Sequence, residues 1–421
     1  MKKQIVFLSC IATASLLNGT APVSLLGDVT SYYPKFSGYI KSEHWYDSRQ
    51  IVGLRENEYL LYPAVAICDA LGQDTNSTGQ FNGSIIQTRT RFEFTAPDIK
   101  IIKMSALFEA DFFGTNITLP VYRPRHLYAH LSANHIFFLI GHTWQPLFIK
   151  DCFPDTVSFN TGAPIEAFSR QSQIRCGATY NGLEIFGAAL TQLETPSNGP
   201  IGASSQYFRN SMIPDLHVQC SYQYQSGNFK GSLIGAAVDF LRLVPRLITN
   251  DNLYAQESVN AIRSVAFGKL RYKAVDIKLK GLYIENGYDL VMLGGYGVTY
   301  INPVTDHRSY TPTRTASLWA DLSYKKNIEP GLFVGWSKNL GTKKTIIQTY
   351  NNEQLLYTRN SNINTVIRIS PRLRCYVNPC TIACEIEYTR ATYGTINNHA
   401  QAINTYPVSN IRLNGSVYYN F

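Results

Sequence analysis

Asn410–Phe421 reads NIRLNGSVYYNF, and its alternation decides the architecture. One face carries Ile411, Leu413, Gly415, Val417, Tyr419 and Phe421. The other carries Asn410, Arg412, Asn414, Ser416, Tyr418 and Asn420. Successive side chains of a strand point to opposite faces, so this segment has one apolar side and one polar side. Ile102–Phe112 repeats the pattern, with Ile102, Met104, Ala106, Phe108, Ala110 and Phe112 set against Lys103, Ser105, Glu109 and Asp111. Leu216–Tyr224 sets Leu216, Val218, Cys220, Tyr222 and Tyr224 against His217, Gln219, Ser221 and Gln223.

Working outward from these segments gives about sixteen strands of the roughly 9–11 residues that cross a bilayer at a tilt. They begin near Phe36, Ile85, Ile101, Val121, His135, Ser172, Leu183, Asp215, Phe229, Asn260, Val275, Arg314, Gly331, Asn362, Thr381 and Val408. Tight turns are expected at Pro97-Asp98, Ala133-Asn134, Asn181-Gly182, Ser226 to Asn228, Lys273-Ala274, Asn327 to Pro330 and Asn378-Pro379. Asn-Gly is a strong hairpin signal, because both central residues of the favoured turn need positive φ. The other connections are long: Asp47–Ser84, Gly114–Pro120, Gln145–Gln171, Glu194–Pro214, Leu241–Val259, Asp289–Thr313, Gly341–Ser361 and Thr395–Pro407. Short turns alternating with long loops, on an even number of strands, predict an all-β fold: a transmembrane antiparallel β-barrel over residues 36–421, with short periplasmic turns and long outer loops. Both chain ends then fall on the periplasmic side. A soluble sandwich or propeller would carry more charge on its exposed face, whereas charged residues make up 16% of this chain against roughly 25% in soluble domains. Nor is a blade-like repeat visible.

Met1–Gly19 reads MKKQIVFLSCIATASLLNG, two lysines followed by an apolar stretch from Ile5 to Leu17. This is read as a secretory signal peptide over residues 1–21, with a short periplasmic segment at 22–35 before the barrel. Beyond it no apolar run approaches the roughly 18 residues of a membrane helix. Cys10 would leave with the signal peptide. The remaining Cys68, Cys152, Cys176, Cys220, Cys375, Cys380 and Cys384 are odd in number and irregular in spacing, which is not a disulfide framework. A Cys68–Cys152 bridge between loops stays open. No Cys-x-x-Cys or neighbouring His supports a metal, and no cofactor motif is present. The formal net charge of +9 is spread along the chain, without the clustered basic stripe of a nucleic-acid binder.

In lipid the outer face must be apolar, so the polar face points into the lumen. By frame that face includes Arg89, Arg91, Glu93, Lys103, Glu109, Asp111, Arg175, Lys278, Lys280, Arg368, Arg372, Arg374, Glu385, Glu387 and Arg412. Bases outnumber acids there. Uncompensated on the wall of a water-filled barrel, they would attract anions; each could instead be neutralised by a neighbouring wall carboxylate. Gln145–Gln171, QPLFIKDCFPDTVSFNTGAPIEAFSRQ, is long, aromatic and poorly alternating. It is expected to fold inward and narrow the lumen, with Lys150, Asp151, Asp155, Glu166 and Arg170 as its charged contributors; the alternative is a loop packed over the outer mouth. Tyr32, Tyr39, Tyr46, Tyr180, Tyr222, Tyr272, Tyr324, Tyr388, Tyr419 and Phe421 suit interfacial aromatic girdles.

FSGYIKSEHWYDSRQ (Phe36–Gln50), DCFPDTVSFNTGAPIEAFSRQSQIR (Asp151–Arg175) and QYFRNSMIPDLHVQCSY (Gln206–Tyr222) together resemble the DcaP-like outer-membrane porins, particularly those of Bacteroidota. The resemblance is strongest over Phe36–Tyr222, and the closing SVYYNF resembles the C-terminal assembly signal of outer-membrane barrels. It implies a trimeric porin with a basic constriction that passes small anions such as dicarboxylates. Arg89, Arg91, Arg170 and Arg175 are where it would place the basic wall. Some members carry a helical N-terminal extension, for which the short segment before Phe36 leaves no room.

These readings favour a passive channel for small hydrophilic solutes, biased toward anions, in contact with outer-membrane lipid. An energy-coupled transporter would need a plug domain before Phe36. An enzyme is disfavoured: His126, His130, His135 and His142 cluster around one hairpin, but no Gly-x-Ser-x-Gly or His-Glu-x-x-His motif accompanies them. The competing reading is an adhesin or structural barrel whose outer loops bind a host. An adhesin's wall would be cross-paired and closed, and a channel's would leave bases unpaired.

Overall fold

The computed structural model describes residues 33–114 and 120–421. The signal-peptide reading and Tyr32 lie outside them. Sixteen antiparallel strands close into one barrel: β1 (Tyr33–Asp47), β2 (Gln80–Ser84 and Arg89–Thr95), β3 (Ile102–Asp111), β4 (Arg123–Ala133), β5 (Ile136–Trp144), β6 (Arg170–Tyr180), β7 (Leu183–Leu190), β8 (Asp215–Gln223), β9 (Leu233–Leu243), β10 (Val259–Tyr272), β11 (Val275–Glu285), β12 (Arg308–Tyr324), β13 (Ile328–Thr342), β14 (Ile363–Val377), β15 (Cys380–Ile396) and β16 (Ala402–Asn420). Each pairs with its neighbours in sequence, and the first strand pairs with the last from Tyr39↔Asn420 to Asp47↔Arg412. Closure leaves no strand edge with unpaired backbone groups facing lipid. Gly38 lies at this seam: a Cβ there would stand 2.2 Å from the Arg89 carbonyl oxygen and 2.8 Å from the Phe421 ring. The backbones can meet only because position 38 has no side chain.

The faces divide as the alternation predicts. In the last strand Ile411, Leu413, Val417 and Tyr419 are exposed on the outer face, and Asn410, Arg412, Asn414 and Ser416 are buried inside. At the turn end of the barrel, exposed Tyr180, Tyr222, Tyr272, Tyr324, Tyr376 and Tyr419 form an aromatic belt. Tyr39 is a correction to the girdle reading. It points inward and lines the cavity described below.

Asn181 (φ 49) and Gly182 (φ 87) both take left-handed backbone, as the two-residue turn demands. The last long connection is also a correction. The ladder continues through Thr395↔Ile403 and Ile396↔Ala402, so only residues 397–401 link β15 to β16. Pro407, expected to end that connection, sits within the strand opposite Thr392. The short link is held by the Asn397 side-chain oxygen, which accepts from the backbone N–H of His399 and of Gln401.

Part of the lumen is filled. Tyr59, Leu61 and Tyr62 of the first long connection, Leu147, Phe148, Ile149, Phe159, Ile165 and Phe168 of the third, and Leu290–Leu293 of the sixth pack against inward-facing Phe267, Leu282, Trp319 and Phe333. The barrel thus has an apolar exterior and an apolar core inside it, with a polar wall between them.

Candidate functional site: a basic cavity beside the inward segment

Residues 145–169 cross the barrel interior, and the wall holds them by charge as well as packing. Glu166, at the far side of the segment, forms an ion pair with Lys280 and accepts from Trp319 Nε1 at 2.5 Å. Lys280 also donates to the Leu147 carbonyl (2.6 Å), and Lys278 donates to that of Phe153 (3.0 Å). Asp155 is clasped by Arg374 (3.2 Å) and Lys325, while its own backbone N–H reaches Asp321. Burial would raise the Asp155 carboxyl, but Arg374, Lys278 and Lys325 together hold it below the usual carboxylate range. Burial also raises the Glu166 carboxyl, and Lys280 offsets this only in part. The tip is held through its backbone: one oxygen of Glu385 accepts the N–H groups of Val157 (2.8 Å) and Ser158 (2.7 Å). Glu387 accepts from Asn160 Nδ2 at 2.9 Å. Arg368 donates to the carbonyls of Ala163, Leu60 and Leu61, so one guanidinium fastens two inward segments.

This corrects the expectation of a freely basic wall. Lys278, Lys280, Arg368, Arg372 and Arg412 all face inward, yet each is buried and engaged. Arg372 pairs with Asp321 at 2.8 Å, and Arg412 pairs with Asp47 at 2.8 Å while donating to the Asn57 carbonyl. They brace the filling and do not border the open space. Asp111 and Glu166 are likewise buried partners of cations, and Asp155 is a half-buried one.

Open space remains on the side of β2 to β7. A cavity of about 310 Å³ lies between this wall and the inward segment, bordered by Arg89, Arg91, Glu109, Lys150 and, among aromatics, Tyr39, Tyr128, Trp144, Phe148 and Phe159. A neighbouring cavity of about 220 Å³ shares Tyr128, Trp144, Phe148 and Lys150 with it and adds Arg175 and Glu184. Of the residues singled out from sequence, these walls bring together Arg89, Arg91, Glu109, Lys150, Asp151 and Arg175.

The charge balance is uneven. Glu109 serves three guanidiniums: Arg125 Nε at 2.9 Å, Arg91 Nη1 at 3.3 Å and Arg89 at 3.8 Å. Arg91 also reaches Glu93 at 2.6 Å. Lys150 is exposed and has no carboxylate within ion-pair distance among the described residues. Arg175 donates to the Gln173 side-chain oxygen (2.5 Å) and the Trp144 carbonyl (2.6 Å), again without a carboxylate in reach among them.

Arg125 and His126 escaped the sequence frame. A register shift lies between Glu109 and Ala110, which pair with His126 and Pro124 and leave Arg125 as the extra residue. The bulge turns Arg125 inward next to His126, where strict alternation allows only one of them. Arg123-Pro-Arg-His126 carried the signal, since proline within a strand marks an edge or a bulge. The Cys68–Cys152 bridge does not form: Cys68 is exposed, Cys152 is buried, and both are free thiols.

No protein-family model matches this chain, and no curated protein matches it. Solved structures do. The outer membrane channel DcaP of Acinetobacter baumannii superposes with a TM-score of 0.65 at 15% identity, over 94% of this chain and 99% of that one. An anion-selective porin from Comamonas acidovorans gives 0.53 at 8% identity, over 93% and 100%. OmpT of Vibrio cholerae in its trimer form gives 0.53 at 8% identity, over 93% and 99%. The chain has the closed barrel fold of the outer-membrane porins and is DcaP-like in that fold.

Proposed function

We propose that this protein is an outer-membrane porin through which small hydrophilic solutes diffuse passively, with a preference for anions such as dicarboxylates. The observation that carries the reading is that Arg89, Arg91 and Arg125 converge on Glu109, the one carboxylate bordering the cavity, with Glu93 behind Arg91 and Asp111 behind Arg125, while Lys150 stands unpaired among the described residues on the opposite wall. Excess cationic charge in a narrow, partly dehydrated space favours anions and repels cations. We infer export by the N-terminal signal and assembly as a homotrimer in contact with outer-membrane lipid, in keeping with porin-fold relatives of which one is described as a trimer form. In planar bilayers the purified protein is expected to give stepwise conductance, with a reversal potential on the anion side in a potassium chloride gradient. A silent bilayer would overturn this reading in favour of an adhesin or structural barrel, which the partly filled lumen and the paired far wall support.

A pH dependence follows from Glu58. Its carboxyl is buried in the first inward segment, one hydrogen bond from cavity-lining Gln87, whose Nε2 donates to it at 2.9 Å. Burial, and then the charge of Glu43, push Glu58 up to about 7. A raised carboxyl pKa stabilises the fold most below its ordinary value of 4.5, and this contribution is lost as pH rises through about 7. Ionisation there places a new negative charge behind the cavity wall. Anion preference should therefore fall between pH 6 and 8, on the order of one unit either side of that value. Glu58→Gln should make the reversal potential flat over the same interval; an unchanged slope would remove Glu58 from the cavity's field.

A further inference from the structure

Toward the long loops a smaller chamber of about 70 Å³ is enclosed by Arg55, Tyr59, Phe168, Arg170 and Glu194. Phe168 also borders the larger cavity, so its ring stands between the two. Tyr59 packs edge-on against Phe168 and Phe159.

Two arginines converge on one carboxylate here, and a third stands beside them. Glu194 accepts Arg170 Nε at 2.9 Å and Arg170 Nη2 at 2.5 Å, and it also takes Arg123 Nη1. Asp111 accepts Arg123 Nε on one oxygen, but its other oxygen is occupied by Arg125. Arg170 Nη1 and Arg123 Nη2 are then buried without any acceptor among the described residues. The Arg170 side chain is only 1% exposed. Arg55 brings a third guanidinium, anchored by donating to the carbonyls of Phe113 and Gly114. Residues 115–119, Thr-Asn-Ile-Thr-Leu, contain no acid. Burial, and then the charge of Arg123, lower the Arg55 pKa. Buried N–H donors without acceptors and crowded cations are both relieved by a bound anion.

We propose that this chamber is a binding site for one small monoanion, a halide or the carboxylate end of a solute, held by Arg170 and Arg55. It deepens the porin reading and rests on it only for its place in a path: an outer station ahead of the Arg89–Arg91 cavity. Its volume admits an anionic head group and excludes a whole dicarboxylate.

The test is bromide. Crystals of the purified protein grown with bromide as the halide should show an anomalous peak within hydrogen-bond distance of Arg170 Nη1. Added acetate separates the sources. Displacement assigns the site to carboxylates, and persistence assigns it to halides; either supports a built anion site. Arg55→Gln should remove the peak and raise the chloride activity at half-maximal conductance roughly fivefold, the loss of one partly screened charge contact. No peak in the native protein, or a peak indifferent to Arg55→Gln, overturns the site. Anion preference is read separately from the reversal potential, so failure of the outer station and failure of the porin reading are distinguishable.

Discussion

Replacing Arg89 and Arg91 together by glutamate is expected to turn the pore from anion-preferring to cation-preferring. Arg89, Arg91, Arg125 and Lys150 border the main cavity together with the single carboxylate of Glu109. The double substitution takes that border from three net positive charges to one net negative charge. At an effective dielectric of about 20, a unit charge about 4 Å away is worth about 4 kcal/mol, and even a quarter of that per site moves a permeability ratio roughly thirtyfold over the pair. The measurement is the reversal potential across a potassium chloride gradient, which should cross zero. The single variants should lie between the extremes. Arg89→Glu should have the larger single effect, since Arg89 stands at 3.8 Å from Glu109, whereas Arg91 is already held by Glu93 at 2.6 Å. A reversal potential that stays on the anion side would exclude both residues from the conducting space.

The second large effect is expected at Lys280. Its ammonium and the Glu166 carboxylate are both buried, and their contact fastens the inward segment to β11. Lys280→Met leaves the Glu166 carboxyl buried without its cation, ionised at a cost or forced to take up a proton, with Trp319 as its remaining side-chain donor. Breaking a buried pair from one side costs about 3–5 kcal/mol, while replacing both members by apolar groups is often close to neutral. Lys280→Met should thus lower the urea midpoint of the barrel markedly, and adding Glu166→Leu should recover most of the loss, a coupling that a double-mutant cycle isolates. Single-channel conductance should rise in Lys280→Met as the segment loses its fastening. Equal midpoints for the single variant and the native chain would mean that packing alone holds the segment.

The barrel was legible because a lipid environment forces period-two patterning on every strand, and Asn410–Phe421 displays it without interruption. Turn residues such as Asn181-Gly182 fixed the hairpins by their own backbone needs. The last connection was placed too long, since the ladder runs on past Pro407, which it tolerates opposite Thr392. The site was less legible. A frame tells which residues face inward, but not what they meet there. Arg368 and Arg412 share the inward face with Arg89, yet they contact segments from distant parts of the chain. Arg125 was hidden by a bulge, which shifts the frame by one residue.

The contact between Glu385 and the backbone of Val157 and Ser158 also bears on assembly. Those partners are 228 and 227 positions apart, so the inward segment emerges long before the strand that secures its tip. Contacts of such separation form late, after the intervening hairpins have been laid down. A nascent sheet lacking β15 has no carboxylate to receive those two N–H groups. The inward segment is thus the last part of the barrel to mature, and an insertion intermediate would have a more open lumen than the finished barrel.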